Sequence, residues 1–310
     1  LKYFFAPIAE GMGDLLITLP VVQALIDTGN PTYLVLRSPK QEGIAEMIAG
    51  LAGHLTEPTF LSYKLAKDDC FINMRNHPIQ TEHIFGTDEF FESFGRINIV
   101  DVVGLICKDL IIDRLGIDCD WKNFQPLAFS VEEAIKDKIV FVPGSAGSFK
   151  CWPAKNWLQL HALLASRDLK VVMVGEPHRS KEVQELRDAG LEWHPTPTFA
   201  DAVNVVSSAR AIVTVDTGLM HLSVQQQKPT VALIMERSIF VRREPNSYPV
   251  FAPDCVTQCL GWTEAKPNSS VHFTEYGDFK FVDCSAPSYN WCMDRIDVSR
   301  VFATLKEALN

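Results

Sequence analysis

Three short stretches set carboxylate, hydroxyl, ammonium and imidazole groups where the chain turns from an apolar run into a helical one. The first is Gly11-Met12-Gly13-Asp14. Glycines at such a turn let a ligand approach the backbone closely, and the helix N-terminus that follows favours negative charge. The third glycine of a dinucleotide fingerprint is missing, and Asp14 stands at the helix start. A carboxylate there repels a pyrophosphate but suits the removal of a proton from a hydroxyl. The competing reading is that Asp14 only caps the helix.

The second stretch is Pro143-Gly144-Ser145-Ala146-Gly147-Ser148-Phe149-Lys150, followed by Trp152-Pro153. Small residues after a strand give backbone N–H groups and the hydroxyls of Ser145 and Ser148 room to surround an anion, and Lys150 adds a point charge. The Gly-Lys-Ser/Thr ending of a Walker loop is absent. An ordinary Ser/Gly loop with a solvated lysine fits the same letters.

The third stretch is Asp216-Thr217-Gly218-Leu219-Met220-His221, which follows the apolar Val213-Thr214-Val215. Thr217 and Gly218 fall at a helix N-terminus, where N–H groups can hold a pyrophosphate. His221 lies about one turn in and can donate to a phosphate or leaving group. A capped helix with a core histidine is the alternative. Asp-Thr-Gly also marks aspartic proteases, but those need a second copy, and one copy followed by helix argues against them.

A looser set is Cys255, Cys259, Cys284 and Cys292. Four thiolates can bind zinc or iron, yet no Cys-x-x-Cys pair is present, and buried free thiols fit as well.

The elements that must position these groups read as two βαβ units in tandem. Residues 3–8 form a strand, 15–26 a helix, 32–36 a strand and 41–51 a helix. Residues 70–74 suit a strand, 77–95 a loop with a short helix facing a ligand, and 99–115 an apolar helix. After an exit segment at 118–130, strands at 139–142, 170–174, 211–215 and 230–235 alternate with helices at 157–166, 180–189, 199–209 and 219–226. This order predicts parallel sheets with helices on their faces. Residues 236–290 carry no clear period, and a last helix spans 297–309.

The 310 residues are 47% hydrophobic, enough for two cores. A net charge of −9 and a pI of about 5.4 argue against nucleic acid as a partner. No apolar run reaches the roughly 20 residues needed to cross a bilayer. No secretory leader is visible, and the start at Leu1 rather than Met suits a trimmed chain. Eight scattered cysteines in a chain of this size suit a reducing cytoplasm.

Taken together, Gly11-Met12-Gly13-Asp14 with Pro20, Gly144-Ser145 through Lys150-Cys151-Trp152-Pro153, Val174-Gly175, Ala209, Asp216-Thr217-Gly218 with His221, and the tail from Cys292 through Ile296 to Val301 resemble glycosyltransferase family 9, the ADP-heptose:lipopolysaccharide heptosyltransferases and their relatives. The resemblance implies an α/β GT-B fold, two Rossmann-like domains with parallel sheets facing across a cleft. Residues 1–130 would form the acceptor side, with Gly11 and Gly13 in its loop. Residues 131–310 would bind the nucleotide sugar, the last helix being free to pack back on the first domain. It implies an inverting transfer of a heptose-like sugar from a nucleotide-diphosphate sugar to a glycan, lipopolysaccharide, other lipid-linked or protein acceptor. Asp14 would be the general base. Ser145, Ser148, Lys150, Asp216, Thr217, Gly218 and His221 would meet the donor, and Glu176 its ribose. No cofactor is required, although relatives that glycosylate surface proteins carry iron on clustered cysteines. The expected location is cytoplasmic, with at most peripheral contact to the inner membrane. A GT-B protein that binds sugar nucleotides without transfer, and a GT-B epimerase, stay open beside it. A nicotinamide-dependent dehydrogenase fits less well, since neither glycine turn carries the full fingerprint.

Overall fold

Strands that read as unbroken apolar runs belong in parallel sheets covered on both faces, and two such sheets form here. A computed structural model describes residues 1–83, 85, 88–235, 238–253, 271–273, 279–281 and 291–310. In the first half, β1 (Tyr3–Ala6), β2 (Thr32–Leu36), β3 (Gly53–Thr56) and β4 (Cys70–Asn73) pair in parallel in the order β3-β2-β1-β4. In the second, β5 (Ile139–Val142), β6 (Val171–Met173), β7 (Ala211–Val215), β8 (Thr230–Ile234) and β9 (Ser247–Phe251) pair in parallel in the order β6-β5-β7-β8-β9. A small antiparallel pair, β10 (Val271–Phe273) and β11 (Phe279–Phe281), follows.

Both sheets reverse their winding direction at the first strand of the half. The chain leaves β1 toward β2 and returns to β4 on its other side, and it leaves β5 toward β6 and returns to β7. Loops at the C-terminal ends of strands flanking such a reversal form a crevice, where open α/β sheets take ligands. Residues 7–11, 143–150 and 216–218 are those loops.

The helices are α1 (Met12–Leu16), α2 (Leu19–Asp27), α3 (Glu42–Ala45), α4 (Glu57–Leu61), α5 (Pro78–Thr81), α6 (Asp88–Phe94) and α7 (Ile99–Cys107) in the first half, and α8 (Ala154–Ala165), α9 (Lys181–Asp188), α10 (Phe199–Ser208), α11 (Gly218–Gln225), α12 (Trp291–Asp294) and α13 (Val298–Ala308) in the second. The period-2 alternation of strand side chains divides the second sheet. Ile139, Phe141 and Met173 face α8, α9 and α13. Val140, Val142 and Val172 face the opposite way and join one continuous core with Phe5, Leu15, Val103 and Leu222. The two halves therefore share apolar packing through α1, α3, α10 and α11.

Several sequence expectations change in the structure. The helix expected at 15–26 is two, broken at Ile17-Thr18, where the Thr18 hydroxyl donates back to the Leu15 carbonyl at 2.8 Å and Pro20 stands in the first turn of α2. The helix expected at 99–115 runs as α-helix only to Cys107 and continues as a π-helix over Lys108–Asp113. Strand β9 lies inside the stretch read as irregular. It is an edge strand carrying Pro249, a residue that an edge tolerates and a central strand does not. The last helix packs on α8, β8 and β9 of its own half. Trp152 fixes this tail by donating its indole N–H to the Ile296 carbonyl at 3.1 Å.

The link between the halves is strapped to the second. Gln226 bonds both the N–H and the carbonyl of Leu127, at 2.7 and 2.9 Å, and Asn204 accepts from the Ser130 N–H at 2.8 Å.

Candidate active site

The turn after β1 is held from below by two side chains of the next βα unit. Arg37, its guanidinium buried, donates to the Pro7 carbonyl at 3.1 Å and bonds Glu57 at 2.9 Å and Asn73 at 2.7 Å. Gln41, fully buried, donates to the carbonyls of Ala9 and Gly11 at 2.9 and 3.2 Å. Arg37 is thus spent on the scaffold of the turn. So fixed, the turn leads into the five-residue α1, where Asp14 accepts from the Gly11 N–H at 2.8 Å.

Asp14 therefore does help cap its helix, as the plain reading of the sequence had it. Its titration shows more. Burial pushes its carboxyl up to about 6; the Gly11 N–H and the Lys150 ammonium pull it back, and Asp216 adds to the rise. Asp14 belongs to the first half, Lys150 and Asp216 to the second, so the fold brings these three charges into one electrostatic neighbourhood.

Asp216 is the hub on the facing side. Its carboxylate pairs with Lys150 Nζ at 2.9 Å, and both side chains are largely covered. Ser145 Oγ donates to the Asp216 carbonyl at 2.8 Å, and Ser238 Oγ stands 3.5 Å from its Oδ2. Lys150 Nζ also lies 5.4 Å over the ring of Phe240. Ser148 is buried, and its Oγ has no partner among the described residues. Thr217 caps α11 through its backbone and makes no side-chain cap bond. Glu176, after β6, is half exposed and pairs with Arg179 at 2.7 Å.

Two glycines let the halves meet. A Cβ on Gly13 would stand 2.7 Å from Cδ2 of His221, and one on Gly218 would stand 3.1 Å from Cβ of Met12. The N-termini of α1 and α11 thus touch backbone to backbone, which is why the sequence needs glycine at both places.

His221, expected among the donor contacts, packs against Gly13 of the other half. The ring is buried beneath the Asp14 turn, and burial, with the nearby Arg242 guanidinium, pushes its titration down to about 3. It is a neutral imidazole at any physiological pH. Its Nδ1 has no partner among the described residues.

Sequence reasoning passed over Arg242. It is fully buried, bonds Glu244 through Nε at 2.7 Å and stacks over Phe124 at 4.3 Å, tying the second half to the link segment. Ser238 and Phe240 were passed over too. All three lie in a stretch with no period, where only their chemistry could have marked them. Among the described residues, no three His, Cys, Asp or Glu side chains stand together as a metal site. Cys255, Cys259 and Cys284 lie outside the described residues, and Cys292 is half-buried.

Residues 112–239 match the family model described as glycosyltransferase family 9 (heptosyltransferase). The chain is similar to lipopolysaccharide heptosyltransferase 1 of Escherichia coli strain K12, 29% identical over 132 residues, 42% of this chain and 41% of that one. It is also similar to lipooligosaccharide heptosyltransferase 2 of Haemophilus influenzae, 30% identical over 104 residues, 31% of this chain and 30% of that one. The chain thus matches less than half the length of these curated relatives. Among solved structures, the Escherichia coli heptosyltransferase WaaC with ADP superposes with a TM-score of 0.62 at 15% identity, covering 99% of this chain and 100% of that one. The iron-containing dodecameric glycosyltransferase TibC of enterotoxigenic E. coli H10407 superposes at 0.64 and 15%, covering 99% and 75%. These likenesses show the fold, and the two facing parallel sheets are those of GT-B proteins, as the sequence led us to expect.

Proposed function

We propose that this chain, a member of glycosyltransferase family 9, transfers a heptose-like sugar from a nucleotide-diphosphate sugar to an acceptor hydroxyl, with inversion and in one displacement. The observation that carries this reading is that Asp14 of one half titrates under the influence of Lys150 and Asp216 of the other. A base and a diphosphate-holding cation placed on opposite walls of one crevice are what a single displacement needs.

In this account Asp14 takes the proton from the acceptor hydroxyl as its oxygen bonds to the anomeric carbon. The bond from that carbon to the diphosphate breaks on the opposite side, and the nucleoside diphosphate leaves. Lys150, Ser145, Ser148 and the N-terminus of α11 at Thr217-Gly218 meet its charge. An ammonium offers three donors, so the ion pair with Asp216 is compatible with a phosphate contact. Glu176, in the loop after β6, bonds the ribose in this reading. His221 supports the Asp14 turn as a neutral ring instead of donating to the leaving group. Residues 1–130 form the acceptor side and 131–310 the donor side.

The donor is an ADP-sugar by analogy with relatives solved with ADP and with ADP-D-β-D-heptose. The acceptor is a glycan, lipopolysaccharide or protein, met in the cytoplasm or at the inner face of the membrane. No helix among the described residues is long and apolar enough to cross one.

A thermal-shift screen with ADP-, GDP-, UDP- and CDP-sugars tests the donor side. A ligand at about 100 times its Kd adds about 2.7 kcal/mol to stability, a shift of several degrees. ADP-sugars should give it. No stabilisation by any nucleoside diphosphate sugar would remove the proposal.

A further inference from the structure

A cavity of about 580 Å³ lies beyond the donor loops at the C-terminal ends of β8 and β9. Both halves line it: Phe91 and Arg96 from the first, Ser238, Ile239, Arg243 and Arg300 among the residues of the second. Three guanidiniums and no carboxylate stand among the described lining residues, in a chain whose net charge is −9. The guanidiniums are held in place. Arg300 donates to the Phe251 carbonyl at 3.1 Å, Arg243 to the Arg96 carbonyl at 3.4 Å, and Arg96 stacks over Phe91 at 4.5 Å. Arg243 and Arg300 form no ion pair among the described residues. Each guanidinium carries five N–H donors in a plane that suits an oxyanion, and the bonds described use one apiece on Arg243 and Arg300.

The cavity shares a wall with the reaction centre. Ser238 and Ile239 line it, while Ser238 Oγ also stands 3.5 Å from Asp216 and the next residue, Phe240, lies beneath Lys150. The wall is pinned to the first half, since Ile99 donates its N–H to the Ile239 carbonyl at 2.7 Å. An anion seated among the arginines is therefore separated from the Lys150–Asp216 pair by one chain segment.

We propose that this cavity binds an oxyanion group, phosphate or carboxylate, carried by the acceptor, with Arg96, Arg243 and Arg300 as its contacts. The inference rests on the glycosyl-transfer reading, because it assigns the cavity to the acceptor.

Calorimetric titration of the full chain with ADP at saturation tests it, using glucose 6-phosphate, glucuronate, neutral glucose and inorganic phosphate as probes. At least one of the two charged sugars should bind beside ADP, at least tenfold more tightly than glucose. Arg243→Gln and Arg300→Gln should each weaken it about tenfold and leave ADP affinity unchanged; both side chains are exposed, so folding should survive. Competition between ADP and the charged sugars, or equal binding by both variants, would overturn the site. Inorganic phosphate binding as tightly as glucose 6-phosphate would indicate a site for the free ion and overturn the acceptor assignment. ADP affinity, read in the same titration, tests the donor side separately. If ADP binds and neither charged sugar does, only this inference fails.

Discussion

Gly13 and His221 touch across the two halves, with room for a hydrogen and none for a methyl group. A Cβ on Gly13 would fall 2.7 Å from His221 Cδ2 and 3.3 Å from its Nε2. The ring is buried and cannot swing into solvent. Gly13→Ala should therefore push α1 off α11, lowering stability by about 1–3 kcal/mol, as overpacking does, and slowing transfer by displacing Asp14. Adding His221→Ala should restore part of both in urea melts and rate assays. If the double variant is no better than the single one, the contact is not what limits the site.

Asp14 gives the rate a pH dependence. Its carboxyl titrates at about 6, so the ascending limb of kcat/KM should have its midpoint there, well above the usual carboxylate range. The stability consequence has the opposite sense. A carboxyl whose folded pKa lies above its unfolded value holds its proton more tightly when folded. Its contribution is full below about pH 4 and is lost as pH rises through about 6. Asp14→Asn removes that loss, so the variant should gain stability relative to wild type between pH 4 and 7. A difference that is flat with pH would contradict the burial of this carboxylate.

Lys150 should affect both substrate and base. Its ammonium pulls the Asp14 titration down, so Lys150→Ala should move the acid limb of the rate to higher pH. The same change should weaken nucleoside diphosphate binding by roughly 1.5–3 kcal/mol, the range for a hydrogen bond to a charged group. Unchanged diphosphate affinity would take Lys150 out of the donor site.

How much of this was legible beforehand follows from the physics of each element. The central strands could be read because burial on both faces leaves unbroken apolar runs such as Ile139-Val140-Phe141-Val142. Two edge strands, Gly53–Thr56 and Ser247–Phe251, are only half buried and lack that signature, so they went unread. Asp14, Lys150 and Asp216 could be singled out as candidates because glycine and serine turns mark the C-terminal ends of strands. What no spacing revealed was which groups meet across the halves. The covered position of His221, the buried Arg242 and the arginine-lined cavity all depend on the docking of two units far apart in sequence.

The link between the halves is open to a separate test. Gln226 is buried and bonds Leu127 twice and Ser207 Oγ at 2.7 Å. Gln226→Leu keeps the bulk but leaves the Leu127 N–H and carbonyl without partners, at a cost of roughly 1–3 kcal/mol for a buried unsatisfied group. Urea unfolding should show that loss. A change under about 0.5 kcal/mol would mean the strap contributes little.

The central claim is that Asp14 is the base. Asn at position 14 keeps the size of the side chain and leaves an amide oxygen for the Gly11 N–H, so the cap survives. It cannot accept the acceptor's proton. General-base help contributes roughly 10²–10⁴ in rate. The decisive measurement is kcat of Asp14→Asn at pH 8 with saturating donor, alongside donor affinity and melting temperature. We expect normal folding, donor affinity within about twofold, and a kcat reduced at least about a hundredfold. Transfer at the wild-type rate in a folded, donor-binding variant would show that Asp14 is only a helix cap.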